Sequence, residues 1–344
     1  MKTINKGEIM NNFKKVGLSA LAGSLAVVSA NAAELNIVGS STVAFTSGGD
    51  GPTKDSFGSD TGVDFFASGE LDNGWTVSTA TYTNNTFAVT SAQLTLGMGS
   101  MGTLQFNQDA GNMVRALDDK LPTAYEEAWD QSGHAMASST VGAASIDGSI
   151  SYAVPQIDLS GVTMDIVMDY DPTADVSGSG NGTLYAAAAG KDDSWGIGAT
   201  VSGMGLTVYG AYEQVQNTGT GDDDEQNTAV NVVYAMGPLS IGYATWYANQ
   251  GASDTADYEG SGYSIAFNVN DNLSISAADI EDTIVPTSDS RTIDNGETAD
   301  ITSVQAAYTM GSMAIKAQHT KTDNANFVLN HDFHQTEIAV SFAF

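Results

Sequence analysis

The sequence predicts an all-β protein, a single transmembrane barrel of sixteen antiparallel strands. Three observations lead there: sixteen short stretches alternate apolar with polar or small residues, the connections between them alternate short with long, and the last stretch ends on a terminal aromatic residue. Side chains of a strand point alternately to its two faces, so period-two alternation marks a strand with one apolar face.

In chain order the first strands are read at Glu34–Ser47, Thr61–Leu71, Trp75–Thr83, Phe87–Met98 and Gly102–Gln108. After an insert come Ile146–Val154, Val162–Tyr170, Ser194–Ser202, Leu206–Gln216 and Thr228–Met236. The set closes with Leu239–Ala248, Tyr258–Asn268, Leu273–Glu281, Ile301–Met310, Met313–Thr322 and Gln335–Phe344. The count is even, and most segments are near the roughly 9–11 residues with which a tilted strand crosses a bilayer. Tight turns join alternate pairs at Asp72-Asn73-Gly74, 158–161, 203–205, Gly237-Pro238, 270–272 and Gly311-Ser312, with residues suited to them. The other connections, 172–193, 217–227, 249–257 and 282–300, are longer, acidic and glycine-rich. Short turns on one rim and long loops on the other describe an outer-membrane barrel. In the last strand Ile338, Val340, Phe342 and Phe344 share the outward face, while Glu337, Ala339, Ser341 and Ala343 look inward. A closed barrel pairs every backbone group, which lets a 312-residue mature chain of modest hydrophobicity fold as one domain, residues 33–344.

Residues 1–32 read as a secretory signal peptide. Lys14 and Lys15 supply the positive start, 16–28 the apolar stretch, and Ala30-Asn31-Ala32 the cleavage site. Glu8 is out of place in such a leader. Lys6-Gly7-Glu8-Ile9 can be encoded by a bacterial ribosome-binding sequence, so translation is expected to start at Met10. The leader carries four of the 11 Lys+Arg and one of the 41 Asp+Glu, leaving 7 basic and 40 acidic residues and a mature charge of −33. That sign excludes non-specific binding of nucleic acid or anionic lipid. Cysteine is absent, so disulfides and thiolate chemistry are excluded. No run of about 18 apolar residues follows the leader, which excludes a helical span.

One stretch breaks the alternation: "RALDDKLPTAYEEAWD", residues 115–130, a dense charged insert built around Tyr125 and Trp129. Thr123 followed by Glu126 is a capping-box pattern, so one or two helical turns are expected over Ala124–Asp130. On such a helix Tyr125 and Trp129, four apart, share one face and anchor it to a wall, while Glu126 and Asp130 share another. Asp118 and Asp119 lie on the approach. In a narrow pore these acids attract cations and repel anions; on an exterior they are a solvated loop.

With its leader, sixteen segments, terminal Phe344 and long third loop after the short fifth strand "GTLQFNQD", the chain resembles the trimeric general porins of Gram-negative outer membranes. The resemblance implies that the third loop, 109–145, folds into the barrel as a constriction, with Asp118, Asp119, Glu126, Glu127 and Asp130 as its acids. It also implies a counter-charge on the wall. Lys316 is the best placed, because Met313, Ile315 and Ala317 alternate outward and leave Lys316 and Gln318 inward; Lys191 and Arg291 fall in loops. Gln105 and Asn107 are read as lumen-facing between outward Leu104 and Phe106. The same resemblance implies a homotrimer in outer-membrane lipid and lipopolysaccharide. It implies insertion by the barrel-assembly machinery through the C-terminal strand, with Phe342 and Phe344 as its signal, and no nucleic-acid partner.

Other motifs carry less. "GMGSMG", 97–102, matches a dinucleotide fingerprint but joins two strands where that motif needs a helix. His331 and His334 bracket the entry to a strand, whereas a metal pair at this spacing rides a helix. "DDDE", 222–225, offers carboxylates for a loop-bound Ca²⁺ but lacks the spacing of a dedicated calcium loop. His134 near Ser138 and Ser139 suggests a hydrolase, yet no orienting acid can be placed. The expectation is therefore a passive diffusion channel for small hydrophilic solutes and ions, cation-preferring, without enzymatic activity, cofactor or metal. The alternative is a secreted or surface-layer acidic β protein that binds Ca²⁺.

Overall fold

The computed structural model describes residues 34–49, 55–108, 112–136, 141, 148–172, 191–218, 223–251, 256–285 and 297–344. The leader, the Met10 start, Arg291, Ser138, Ser139, Asp222 and part of the 109–145 loop lie outside the described residues.

The first strands are β1 (Glu34–Gly48), β2 (Asp55–Glu70), β3 (Thr76–Thr83), β4 (Val89–Gly97) and β5 (Thr103–Gln108). Next come β6 (Ser149–Ala153), β7 (Ile157–Asp158), β8 (Thr163–Asp171), β9 (Lys191–Gly203), β10 (Leu206–Asn217) and β11 (Glu225–Met236). The last are β12 (Leu239–Asn249), β13 (Asp257–Asn268), β14 (Leu273–Val285), β15 (Thr298–Met310), β16 (Met313–Asp323) and β17 (Phe333–Ala343). All pair antiparallel in one sheet, and β1 bonds both β2 and β17, which closes it. β6 and β7 both pair with β8. They are one stave interrupted at 154–156, where Pro155 has no N–H for a ladder. The result is a closed barrel of sixteen staves, as the alternation predicts.

Several strands reach further than their hydrophobic pattern. β2 begins at Asp55, because the far half of β1 pairs with residues 55–62 there. β9 begins at Lys191, which is therefore a strand residue and not a loop residue, and its Nζ bonds Glu225 at 2.9 Å.

The two faces differ as a membrane barrel requires. On β12 Ile241, Tyr243 and Tyr247 are exposed, whereas Ser240, Ala244, Trp246 and Ala248 are buried. On β17 Ile338 and Phe342 are exposed, and Glu337, Ala339, Ser341 and Ala343 are buried. The exposed apolar set is the lipid-facing surface, so the core sits on the other side, within the barrel. It joins Val114, Leu121, Ala128 and Val141 of the β5–β6 connection to Ala211, Ala229, Ala244, Trp246, Ile280 and Ile301 of the wall. Two glycines make room for this docking. A Cβ at Gly198 would collide with Leu117, and one at Gly242 with Pro122.

Candidate functional site: an acidic segment against the inner wall

Residues 112–136 carry every predicted acid of the insert and lie along inward-facing side chains of the barrel. The segment enters where the Val114 N–H donates to Asp169 Oδ2 of β8 at 2.7 Å, and it makes a 3-10 turn at Arg115–Leu117. Asn231 of β11 then grips the chain three times. Its amide donates to the carbonyls of Leu117 and Asp118 at 3.0 and 3.1 Å, and its Oδ1 accepts from the Lys120 N–H at 3.3 Å. Three staves further along the wall, Ser276 of β14 accepts from the Ala124 N–H at 2.9 Å. Gln305 of β15 accepts from the Tyr125 N–H at 2.8 Å and donates to the Glu126 carbonyl at 3.0 Å. Gln318 and Thr320 of β16 donate to the Asp130 carbonyl at 2.6 and 3.2 Å, and Gln335 of β17 donates to Gln131.

These bonds explain why the expected helix over Ala124–Asp130 does not form. Gln305 takes the Glu126 carbonyl that a helix would bond to the Asp130 N–H, leaving bends and the single-turn bonds Asp130 N–H to Glu127 O and Ser132 N–H to Trp129 O, both 3.1 Å. The two aromatics consequently anchor to different walls rather than sharing a face. Tyr125 donates its hydroxyl to Glu337 Oε1 of β17 at 2.7 Å, whereas Trp129 packs edge-on against Trp246 of β12 with centroids 5.4 Å apart. Likewise Asp130 hydrogen-bonds with Glu127 and does not pair off with Glu126 along a helix face.

Burial, assisted by the mutual repulsion of the acids, sets their protonation. Asp118 is raised to about 6 by desolvation, against the opposing pull of Lys120 and Arg115. Desolvation and the Glu127 charge push Asp119 up to about 8. Desolvation and the Glu127 hydrogen bond push Asp130 up to about 8, and Glu126 is raised by desolvation as well. Such shifts disfavour the charged form, so near neutral pH the cluster holds shared protons. The bases stand beside it. Lys316 Nζ lies 4.8 Å from the centroid of the Tyr125 ring, and Lys120 Nζ lies 5.9 Å from that of Tyr209.

Other predicted positions fall elsewhere in the barrel. Gln105 and Asn107 are inward and buried in a wall network, with Gln105 donating to Asn107 at 2.6 Å and Asn107 to Ser151 at 2.9 Å. Phe342 and Phe344 face outward, and the backbone of Phe344 exchanges bonds of 2.9 and 3.2 Å with Gly39 of β1. His331 bonds the Ala325 carbonyl, and no cluster of three metal-binding side chains exists among the described residues. Asp224 accepts from Gln214, and Glu225 from Lys191. Asn231, Ser276, Gln305 and Glu337 are the anchors that sequence reasoning missed as partners of the insert. Their signal, a polar residue at an inward position, is the same as that of any lumen residue.

Three comparisons bear on this architecture. A family model described as Gram-negative porin matches residues 17–344. A comparison with curated protein sequences gives no match. Among solved structures, OmpF of Salmonella typhi, in complex with daunomycin, has a TM-score of 0.66 at 12% identity, with 90% of this chain and 97% of that chain covered. In-vitro folded OmpT, an outer membrane protein of Vibrio cholerae, gives 0.66 at 12%, covering 93% and 100%. A refined porin structure gives 0.62 at 13%, covering 90% and 100%. At these identities the structures speak for the fold, and the family model for kinship. With a closed sixteen-stave barrel, an apolar exterior and a family match over nearly its whole length, the chain belongs to the Gram-negative porin family and is an outer-membrane channel protein.

Proposed function

We propose that the channel passes small hydrophilic solutes and ions by passive diffusion and prefers cations, with residues 112–136 as its constriction and charge filter. The reading rests on one observation above all: wall side chains hold the main chain of this segment, leaving Asp118, Asp119, Glu126, Glu127 and Asp130 gathered in one cluster. A negative field in a narrow aqueous path concentrates cations and excludes anions. Lys316, on the wall beside Tyr125, sets the opposite charge across the path. Diffusion through such a filter needs no catalytic cycle and no cofactor.

The test is the reversal potential of purified protein in a planar bilayer across a KCl gradient. A cation-selective reversal, moved toward zero by Glu126→Gln with Glu127→Gln, is the expected result. An anion-selective reversal, or one that the double substitution leaves in place, would sink the filter. The reading extends to assembly as a homotrimer in outer-membrane lipid and lipopolysaccharide, inserted by the barrel-assembly machinery through the strand that ends at Phe342 and Phe344. Chemical cross-linking in native membranes checks the trimer, and a dominant monomer band would refute it.

A further inference from the structure

Beyond the acid cluster, the end of the 112–136 segment meets the connection between β16 and β17 in a buried node that diffusion does not require. His134 and Asp282 of β14 face each other at 2.9 Å with both side chains fully buried. The second ring nitrogen, Nδ1, accepts the backbone N–H of Asn326 at 2.8 Å. An amide N–H can only donate, so Nδ1 is the unprotonated nitrogen and Nε2 carries the hydrogen given to Asp282. The neutral Nε2–H tautomer is thus required by the geometry. Asn326 completes the tie with its own side chain, which donates to the Gly133 carbonyl at 3.1 Å and accepts the Ala135 N–H at 3.1 Å.

The loop held this way is strained. Asn324, Asn326, Phe327 and Asn330 all have left-handed backbones, with φ of 55°, 54°, 59° and 60°. For a bulky residue such as Phe327 this is a real outlier, and it persists only where surroundings over-determine it. Its ring is clamped between the imidazole of His134, at 4.6 Å, and the ring of Tyr258, at 5.6 Å.

We propose that His134 is a positioning residue, a proton-sensitive latch that ties the end of the acidic segment to the strained 324–332 loop most firmly while the imidazole is neutral. Protonation puts a hydrogen on Nδ1, where it opposes the Asn326 N–H. Asp282 keeps its bond, because Nε2 donates in both states. The bond to Asn326 is lost, and the strained loop is left to the Asn326 side-chain bonds and the Phe327 packing, a weaker hold from which it opens more often. The charges around the node agree with this assignment. Asp282 faces His134, Tyr258 of β13 and His331 contact the 324–332 loop, and Glu297 adjoins Thr298, whose carbonyl accepts from Asn324 of that loop. From β15 and β16 the buried, inward residues are Ala299, Ile301, Thr320 and Thr322, while Asp300, Lys321 and Asp323 alternate with them on the outer face.

The electrical readout rests on the reading that this segment borders the conducting path, which the reversal potential at one fixed pH reports separately. Open-channel current noise is recorded from about pH 8 to pH 5. The released population is expected to grow on acidification by up to about tenfold per pH unit, the limit for a single proton, and to raise the noise with it. In His134→Asn the side-chain oxygen keeps an acceptor for the Asn326 N–H without titrating, so the noise should become flat with pH. Independently of conduction, imidazole ¹⁵N spectra in detergent, with His134→Asn identifying the signal, should show the Nε2–H tautomer at neutral pH. A Nδ1–H tautomer, a noise profile flat in the wild type, or one unchanged by His134→Asn overturns the latch.

Discussion

Gln305→Leu is the sharpest test of how the acidic segment is held. Gln305 is 5% exposed, accepts from the Tyr125 N–H at 2.8 Å and donates to the Glu126 carbonyl at 3.0 Å. Leucine occupies a similar volume but does neither, so two part-buried backbone groups lose their partners. Each orphaned group costs at most about 1–3 kcal/mol, for a total of at most roughly 2–6 kcal/mol against the docked arrangement. At about 1.4 kcal/mol per tenfold, a mid-range loss shifts the local docking equilibrium by several hundredfold. Asn231 and Gln318 still hold the two flanks, so the change stays confined to the turn around Glu126. Recorded in a planar bilayer, Gln305→Leu should be noisier than the wild type, with a reversal potential closer to zero. Val304→Leu, its outward and exposed neighbour, should leave both unchanged. A folded Gln305→Leu barrel with wild-type noise and selectivity would refute the claim that wall amides position the filter.

Three further outcomes are expected. Cation preference should climb between about pH 5.5 and pH 9, as Asp118 ionises near 6 and Asp119 and Asp130 near 8; Asp119→Asn with Asp130→Asn should remove the upper step in the reversal potential. The sign for stability is opposite. These acids hold protons in the folded state that the unfolded chain has released above about pH 4, so their contribution falls as pH rises through the window up to 8 and is flat above it, which urea titrations at several pH values can follow. Gly242→Val should push Pro122 off the wall and raise channel noise, whereas Gly210→Val, whose Cβ meets nothing within 4 Å, should not. Lys316→Met should keep the stem beside Tyr125 but drop its charge; a unit charge about 6 Å from a passing ion in a water-like medium is worth about 0.7 kcal/mol, of opposite sign for cation and anion, so the cation-to-anion permeability ratio should rise about tenfold.

Barrel staves are legible in a sequence because membrane and lumen impose opposite chemistry on alternate residues, and the alternation survives even where strand ends are misjudged. β2 shows the limit. Its residues 55–60 pair with β1 but are exposed throughout, so no apolar face announces them. The acids of the insert were legible as a cluster, since five carboxyl groups within thirteen residues stand out in a Gly/Thr-rich chain. Their docking was not. The capping-box pattern at Thr123 describes what an isolated segment prefers, whereas Ser276 and Gln305, more than 150 residues away, offer its backbone other partners. His134 is the same case. Its partner acid, Asp282, is 148 residues distant, and only strand register brings the two together.

The way this wall grips its loop bears on how selectivity and pore shape are related. Five carboxyl groups crowded together repel one another, and an arrangement held mainly by ion pairs would loosen as charges were changed or salt was raised. Here the principal grips on residues 117–130 are neutral side chains bonded to main chain: Asn231, Ser276, Gln305, Gln318 and Thr320. Main-chain bonds do not depend on what the gripped residue carries. The carboxyl groups of Glu126, Glu127 and Asp130 can therefore be neutralised without removing those bonds, and the segment's charge can vary while its frame stays. Tyr125 and Trp129 are exceptions, since their own side chains reach Glu337 and Trp246. Tyr125→Phe alters the frame and leaves the carboxyl groups of the segment in place, whereas Glu127→Gln alters the charge and leaves the frame. The two substitutions should separate cleanly, the first in channel noise and the second in reversal potential, and a Glu127→Gln channel as noisy as Tyr125→Phe would show that charge and frame are one.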